Sequence, residues 1–178
     1  SSAQDNYVES GIYNGTLEHT GENKLHISGG TFGSEPADGD IVSGYVKINN
    51  GDGTWSVTKV SNAIYVDKNY TTNGDTVIVD GNKGIGFQTL QAAVTYARTN
   101  LTGDVIVTIL SDLEERAKVI QKEGMNVTIN GKNKILAGQL AIDGEGRYSG
   151  TDVLVLENIK FKYSSTLSAN GGLIYFPK

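Results

Sequence analysis

Gly103-Asp104-Val105-Ile106-Val107-Thr108-Ile109-Leu110 is the stretch that decides the fold, because it is a short apolar run between turn residues and comparable runs follow it. The later runs cover residues 125–129, 140–142, 153–156 with Ile159 and Phe161, and 173–176. The starts of comparable runs lie about 19 to 27 residues apart, which is the range expected for the stacked coils of a solenoid. The second half of the chain is therefore predicted to be a β-solenoid.

One helix is predicted just before the first of these runs. Apolar residues recur there at offsets of three and four, so they share one helical face that must cover a core. These residues are Leu90, Ala93, Val94 and Ala97. Thr89 can cap the start of the helix, because its hydroxyl can accept a hydrogen bond from the first turn.

The first half of the chain consists of short alternating runs separated by turn residues, which predict strands. Residues 49–53 contain Asn-Gly and Asp-Gly pairs, which supply the positive φ that a hairpin turn requires. A hairpin is therefore expected between residues 45–48 and 55–60. Two further extended stretches, residues 63–67 and 76–80, are interpreted as a second hairpin.

Composition narrows the classes of function. The 178 residues include 23 Gly and 2 Pro, and 38% are hydrophobic, which favours an ordered all-β chain with many tight turns. A net charge of -5 without a basic stripe argues against a nucleic-acid partner. Because no apolar run reaches about 18 residues, no membrane span is expected. The sequence has no Cys, which excludes disulfides, thiol catalysis and Cys-ligated metal.

The second half resembles a known family. Residues 86–94 as a helix, followed by residues 103–110, 126–131 and 157–161, look like the opening of pectin-lyase-like right-handed parallel β-helices, over about residues 85–178. In that family an amphipathic helix caps the N-terminal end of the solenoid, whose exposed edge would otherwise pair with other chains. The resemblance implies the same task for the helix predicted here.

The first half carries a second likeness. Residues 27–34, Gly44-Tyr45 and residues 52–57 are similar to a segment repeated in large surface proteins of gut bacteria. In those proteins the segment closes one β-helical stretch before the next begins. This likeness implies an extracellular protein, secreted or attached to the cell wall.

The predicted fold class is mainly β, in three parts. Residues 1–60 form a β-rich segment that ends in a hairpin and closes a preceding β-helical module. Residues 61–84 are connecting strands, and residues 85–178 hold the cap helix and the first coils of a right-handed parallel β-helix. No cap is evident after residues 173–176, so an exposed edge is expected that can pair with another chain.

The pectin-lyase-like family includes polysaccharide lyases, methylesterases and other polysaccharide-active enzymes, and the helix and first strand resemble the methylesterases in particular. The catalytic Gln-Asp and Asp-Arg arrangements that such an esterase places on later coils have no counterpart in this sequence. The resemblance therefore implies no catalytic residue and no cofactor. A lyase, esterase or hydrolase whose active coils are absent or unrecognised stays open as the alternative.

Several oxygen-rich segments are interpreted as turns rather than as acid–base or metal sites. Residues 143–147 place two carboxylates and an Arg among glycines, as a solvated turn does. Residues 38–40 and 49–52 do not continue to the distal Glu of a calcium loop. An acidic cluster after a buried strand is interpreted as a solvated loop. It consists of Asp112, Glu114 and Glu115.

Two pairs of side chains have structural interpretations. His19 and His26 are seven residues apart, which puts them on opposite faces of a strand, so a shared metal is not expected. Asn130 and Asn158 are predicted to stack at equivalent coil positions, where side-chain amides hydrogen-bond along a solenoid.

Trp55, Tyr148 and Tyr163 are the candidate ligand contacts, because flat amphipathic rings suit the faces of sugars. The expected partner is a polysaccharide, or a glycan or protein of a host surface. The sequence thus predicts a non-catalytic segment of a secreted or cell-surface bacterial protein, with an adhesion, scaffold or glycan-binding role.

Overall fold

The computed structural model describes residues 4–15, 17, 23–143, 152–167 and 172–176. These residues are mainly β, with one α-helix and one short 3-10 turn among them. The chain forms two compact units, which we call unit 1 (Ser1–Val60 and Thr72–Thr76) and unit 2 (Ser61–Thr71 and Val77–Lys178).

Unit 1 begins with two stacked coils. Its strands are β1 (Asn6–Val8), β2 (Ile12–Tyr13), β3 (Leu25–Ile27), β4 (Thr31–Phe32), β5 (Tyr45–Asn49) and β6 (Trp55–Lys59). β1 pairs in parallel with β3, and β2 pairs in parallel with β4. Asn6 lies opposite Leu25 and Ile12 lies opposite Thr31, so both pairs have the same offset of 19 residues. This common offset is what one turn of a solenoid requires.

An antiparallel hairpin ends the parallel stacking of unit 1. β5 and β6 pair antiparallel, as the sequence predicted, and Gly51 and Gly53 in their connection have positive φ. β6 also pairs antiparallel with β4. Because a solenoid grows by parallel addition, this reversal of direction closes the β4 side of the stack.

The core of unit 1 is small and apolar. Leu25, Ile27, Phe32 and Val57 are buried together. Leu25 and Ile27 are alternate residues of β3, so they point to the same face of the strand. Partly buried side chains pack around this cluster: Val8, Tyr13, Leu17, Ile41, Tyr45 and Trp55.

Unit 2 is a parallel β-solenoid that carries the single helix. Its elements are β7 (Ala63–Val66), β8 (Asp75–Val79, of which Val77–Val79 lie in unit 2), β9 (Asn82–Phe87), α1 (Leu90–Asn100), β10 (Gly103–Ile109), β11 (Leu113–Ile120), β12 (Met125–Asn130), β13 (Ile135–Asp143), β14 (Leu154–Glu157), β15 (Lys160–Lys162) and β16 (Ile174–Tyr175). One sheet has the order β14-β12-β10-β7-β9-β8, and a second has the order β11-β13-β15 with β16 also pairing with β13. Successive strands from β10 to β15 alternate between the two sheets, which confirms the solenoid predicted from the recurring runs.

The coils of unit 2 share a core because the register keeps apolar residues in columns. Val107 lies beside Ile129, and Ile129 lies beside Leu156 on the next coil. Val107 and Ile129 are fully buried. Neighbouring residues of each strand point outward, since side chains alternate between the two faces. The apolar–polar alternation in the sequence therefore reflects a sheet with one face in the core and the other face exposed to solvent.

The second predicted hairpin is wrong, because β7 and β8 are not neighbours in the sheet. β9 lies between β7 and β8, and it is parallel to β7. The tight connection joins β8 to β9 instead, through Asp80 and Gly81, which both have positive φ. Positive φ at both residues of a two-residue loop is the pattern of a type I′ hairpin turn.

α1 follows the prediction closely. Leu90, Ala93, Val94 and Ala97 are buried, and the Thr89 hydroxyl accepts a hydrogen bond from the Ala92 N–H at 3.1 Å. Tyr96 is buried on the same helix, and its ring packs against Phe87 of β9. One face of α1 therefore belongs to the core of unit 2.

Candidate functional site

The N-terminal end of α1 is held by a carboxylate from β11. The two carboxylate oxygens of Glu115 accept hydrogen bonds from the backbone N–H groups of Leu90, at 2.7 Å, and Gln91, at 3.1 Å. The first N–H groups of a helix have no partner within it and carry partial positive charge, so an anion is favourable there. Burial nevertheless raises the pKa of Glu115 above its usual value, because the loss of water outweighs the opposing effect of these two hydrogen bonds.

The side chain of Gln91 forms hydrogen bonds with the backbone at the unpaired edge of β11. Its side-chain oxygen accepts a hydrogen bond from the Lys118 N–H at 2.8 Å, and its side-chain nitrogen donates to the Lys118 carbonyl at 3.4 Å. This amide replaces part of the hydrogen bonding that a neighbouring strand would supply. β11 is the terminal strand of its sheet, so α1 occupies an edge that would otherwise be a template for another chain.

The C-terminal end of α1 is held by a cation. The Lys122 ammonium donates hydrogen bonds to the carbonyl oxygens of Arg98, at 3.0 Å, and Leu101, at 2.7 Å. Positive charge is favourable at a helix C-terminus. Both ends of α1 are therefore attached to the first coil by side chains of the appropriate charge.

Polar side chains on the outer face of the first sheet bond from coil to coil. Asn126 donates from its side-chain nitrogen to the Asp104 carboxylate at 3.0 Å, and its side-chain oxygen accepts from the Val153 N–H at 2.9 Å. Asn130 donates to the Glu157 carboxylate at 2.8 Å on the following coil. These contacts tie three consecutive coils together.

The predicted stack of Asn130 on Asn158 is wrong. The register places Asn130 opposite Glu157. Asn158 lies one residue further, at the corner before β15, with a φ of 54°, and its carbonyl accepts from the Asn133 N–H at 2.7 Å. Asn tolerates this left-handed conformation better than most residues, so its role at this position is to turn the chain.

The acidic cluster near β11 is also not a solvated loop. Glu114 and Glu115 belong to the strand itself, and Glu115 is partly buried under α1. Asp112 precedes the strand, and its carboxylate accepts the Ile135 N–H at 2.8 Å. The three carboxylates therefore do not converge on one point, and two of them hold neighbouring elements in place.

Two other carboxylates of unit 2 have similar tasks. Asp143 pairs with the Lys118 ammonium at 2.6 Å across neighbouring coils, and Asp152 accepts the Gly124 N–H at 3.0 Å. Together with the ladder on the first sheet, these contacts use the carboxylates singly. Each of these carboxylates therefore has a structural contact with a neighbouring coil or turn.

Trp55 in unit 1 is engaged in packing. It is partly buried against the core of unit 1, and the Lys47 ammonium lies 5.8 Å from the centre of its ring. Lys47 also contacts the carboxylates of Glu35 and Asp38, both at 2.7 Å. The hydrogen bonds with Asp38 and with Glu35 raise the pKa of Lys47, because both carboxylates stabilise its protonated form. Much of the Trp55 ring is thus covered by its own unit.

The other candidate ligand contacts fall in different places. Tyr163 follows β15 in unit 2 and is 66% exposed. Tyr148 lies outside the described residues. Trp55 belongs to unit 1 and Tyr163 to unit 2, so each is described within its own unit.

A stacked pair of rings in unit 1 escaped sequence reasoning. Tyr7 lies opposite His26 in the parallel register, and their rings stack with centres 4.9 Å apart. The His26 ring nitrogen Nε2 lies 3.0 Å from the Asp5 carboxylate, and the hydrogen bond with His26 lowers the pKa of Asp5. Tyr7 itself is 70% exposed. The 19-residue offset between coils was the only signal in the sequence that could have found this pair.

The oxygen-rich segments of unit 1 are turns, as predicted. Asp38–Asp40 is a 3-10 turn, and the Asn49 and Asp52 side chains accept hydrogen bonds from nearby backbone N–H groups. Within the described ranges, no three His, Asp or Glu side chains are grouped so that they could hold a metal ion. His19, which was compared with His26, and residues 144–147, which follow Asp143 in the predicted turn, lie outside those ranges.

No protein family, curated protein or solved structure that was compared with this chain matches it. Among the residues that the structure covers, no helix is both long and apolar enough to cross a membrane.

Proposed function

We propose that this chain is a non-catalytic scaffold or adhesion segment of a secreted or cell-surface bacterial protein. The observation that carries this proposal is the use of the polar side chains on the coils of unit 2. Carboxylates that an enzyme would aim together at a substrate are instead bonded one by one to neighbouring coils, as with Asp104, Asp112 and Glu157. Such ladders reinforce the stack, and they give these three carboxylates a structural task in place of the convergent arrangement that general acid–base catalysis uses.

The ends of the two coil stacks support a role as a junction. In unit 1 an antiparallel hairpin follows the coils, and in unit 2 a helix precedes them. The first arrangement suits the end of one solenoid, and the second suits the start of another of the pectin-lyase-like, right-handed kind. A protein that carries several solenoids in series would use such a segment as a spacer between them.

Glycan binding is the form of adhesion that this proposal includes. Tyr163 supports it, because its ring is largely exposed beside the last described coil, and Tyr148, outside the described residues, stays a candidate contact. An exposed aromatic ring can stack on the apolar face of a sugar.

A glycan array, run beside reducing-sugar and methyl-release assays on the same polysaccharides, tests the proposal. Binding without turnover, weakened by Tyr163→Ala and not by the matched variant Tyr7→Ala, supports a glycan-binding scaffold. Silence in every assay supports a spacer whose ligand site lies elsewhere. Turnover of any polysaccharide contradicts the proposal and favours an enzyme of the pectin-lyase-like kind.

A further inference from the structure

Asn-Gly pairs are places where a protein chain can modify itself without an enzyme. The backbone nitrogen of the glycine can attack the side-chain amide of the asparagine, because glycine has no Cβ atom to hold the two groups apart. The sequence has five such pairs, which begin at Asn14, Asn50, Asn73, Asn130 and Asn170. Asn170 lies outside the described residues, so four pairs can be compared in the structure.

The reaction needs freedom on both sides of the bond that forms. The glycine N–H gives its proton to hydroxide, and the nitrogen must come within about 3 Å of the asparagine Cγ. Formation of the C–N bond closes a succinimide ring and breaks the bond from Cγ to the side-chain nitrogen, which takes a proton from water and leaves as ammonia. Water then opens the ring at either carbonyl, which gives an aspartyl or an isoaspartyl residue. Hydrogen bonds to the glycine N–H or to the asparagine amide slow the first step, because they must open before the attack.

The stacking of coils protects the Asn130-Gly131 pair. The Gly131 N–H donates to the Glu157 carbonyl at 2.8 Å, so the attacking nitrogen is part of a contact between coils. The Asn130 amide donates to the Glu157 carboxylate at 2.8 Å, and its oxygen accepts from the Lys132 N–H at 2.9 Å. Three hydrogen bonds must therefore open before this pair can react.

The hairpin of unit 1 protects the Asn50-Gly51 pair in a similar way. The Gly51 N–H donates to the Asn49 side chain at 2.9 Å. The buried Asn50 amide donates to the hydroxyl groups of Thr54, at 2.9 Å, and Ser56, at 3.0 Å. Turning this amide towards the Gly51 nitrogen would break these bonds as well.

The Asn73-Gly74 pair is restricted by packing. Gly74 is buried, and a Cβ atom at this position would lie 2.5 Å from Cδ1 of Ile48. The backbone of Gly74 therefore lies against a side chain of the same unit, which opposes the rotation that ring closure needs.

The Asn14-Gly15 pair is the exposed one. Both residues lie open to solvent. Among the residues that the structure describes, neither the Asn14 side chain nor the Gly15 N–H has a hydrogen-bond partner. The Gly15 carbonyl accepts from the Ser34 hydroxyl at 3.4 Å, but this oxygen takes no part in the reaction. A Cβ atom at Gly15 would meet no atom within 4 Å, so the space around the attacking nitrogen is open.

We propose that Asn14 deamidates spontaneously in the folded protein, through attack by the Gly15 nitrogen, and that the product loosens the first coil of unit 1. An isoaspartyl residue lengthens the backbone directly after β2. The Tyr13 carbonyl just before it accepts the Gly33 N–H at 2.7 Å. The Asn14 carbonyl lies so close to Gly33 that a Cβ atom there would be 2.9 Å away. A longer backbone at position 14 disturbs both contacts, which join β2 to the end of β4.

The expected rates follow from the number of hydrogen bonds that must open. Three hydrogen bonds of ordinary net strength slow a reaction about a hundredfold when all are lost before the attack. Asn130 and Asn50 should therefore react about a hundredfold more slowly than Asn14 in the folded protein, and Asn73 should also react more slowly. In the unfolded chain these restraints are absent, so the four pairs should react at similar rates.

Incubation of the whole chain in mildly alkaline buffer, with peptide mapping by mass spectrometry at several times, measures the rate at each asparagine. The same incubation in concentrated guanidinium chloride gives the unfolded reference. Gly15→Val is the matched variant. Its Cβ has room, and the backbone at position 15 is not in the left-handed region, so the fold should accept it. A β-branched side chain there crowds the attacking nitrogen, so the reaction at Asn14 should become slow.

The expected result in the folded protein is rapid reaction at Asn14 and slow reaction at the three protected pairs, with similar rates for all four in denaturant. An Asn130 or Asn50 that reacts as fast as Asn14 in the folded protein overturns the proposal. So does an Asn14 that reacts only in denaturant, or one that Gly15→Val does not slow.

Hydrogen exchange on the incubated samples tests the consequence for the coil. Exchange at residues 31–33 should be faster in the reacted wild type than in the unreacted protein, because the Gly33 N–H loses part of its contact with β2. The Gly15→Val variant, incubated for the same time, should keep the slower exchange. Equal exchange in the reacted and unreacted protein would overturn the loosening of the first coil.

Discussion

Replacing Glu115 with Gln is expected to destabilise the protein, and more so in mild acid than at neutral pH. The wild-type carboxylate accepts two helix N–H groups, at 2.7 and 3.1 Å. A Gln side chain has one oxygen and can accept only one of them, while its NH₂ group faces the other donor. This lost hydrogen bond should cost the variant about 1 kcal/mol in free energy of unfolding. At pH 7 part of that cost is offset, because the neutral Gln avoids the burial penalty of the charged carboxylate.

The pH dependence follows from the raised pKa of Glu115. Because burial raises this pKa above its usual value of 4.5, the folded protein holds the proton more tightly than the unfolded chain. The stabilising contribution of Glu115 to the wild-type protein is therefore fully present below the pKa of the unfolded chain. It is lost as the pH rises through the pKa of the folded protein. The Gln variant lacks this gain on acidification, so the difference between wild type and E115Q should grow as the pH falls from 7 through the raised folded pKa towards the usual value of 4.5.

Urea unfolding followed by far-ultraviolet circular dichroism at several pH values measures this difference. Fluorescence of the single Trp is unsuitable, since Trp55 lies in unit 1 and Glu115 in unit 2. Glu114→Gln is the matched control on the same strand, and it should change stability by less than about 0.5 kcal/mol at each pH because Glu114 is exposed. A difference between wild type and E115Q that is flat, or that shrinks in acid, would refute the argument that burial outweighs the helix N–H groups.

Three further substitutions test the coils, the helix and the hairpin. Ile129→Ala should cost about 2 to 5 kcal/mol in free energy of unfolding, because the side chain is fully buried between coils. The control Thr128→Ala, at the outward-facing neighbour, should cost less than about 1 kcal/mol. Equal values for the two variants in urea unfolding would contradict the register. Thr89→Ala should remove about 1 kcal/mol by deleting the cap of α1, measured in the same way. Asn50→Ala should cost about 1 to 3 kcal/mol in free energy of unfolding, because the buried Asn50 amide donates to two hydroxyl groups across the hairpin. Lys59→Ala, at an exposed position of the same hairpin, is the control, and Trp fluorescence reports on this unit.

The predictable part of the fold is the part that local pattern encodes. The alternation in β10 and β12 was readable because every inward position there is apolar. The hairpin of unit 1 was readable because its turn contains Asn-Gly and Asp-Gly pairs. The face and the cap of α1 follow from spacing within the helix itself. In each case residues close in the sequence carry the whole signal.

β11 was missed because its inward row is interrupted by charge. Leu113, Ala117 and Val119 are buried in alternation, but Glu115 occupies the inward position between the first two. A carboxylate is acceptable at that point only because the N-terminus of α1, more than twenty residues earlier, supplies two N–H donors. Because Asp112 and Glu114 lie next to Glu115 in the sequence, the segment was interpreted as a solvated acidic loop.

β9 was missed, and its last two residues, Gly86 and Phe87, were wrongly included in the predicted helical segment 86–94. A Cβ atom at Gly84 would lie 2.6 Å from the Tyr65 ring, and one at Gly86 would lie 3.0 Å from the Tyr70 ring. Glycine is needed in this strand so that two tyrosine rings can lie against its outer side. The rings come from a different strand and a loop, so this requirement could not be read within the segment.

The two units close their coil stacks on opposite sides, and this restricts how such a protein can grow. The hairpin closes unit 1 on the side of its later strands, which leaves the earlier coil of β1 and β2 open. α1 closes unit 2 at β11, which leaves the later strands β14, β15 and β16 open. Coils can therefore be added before β1 or beyond β15, but neither at the hairpin nor at the β11 edge without removing a cap. This polarity suits the proposed role of a segment between two solenoids.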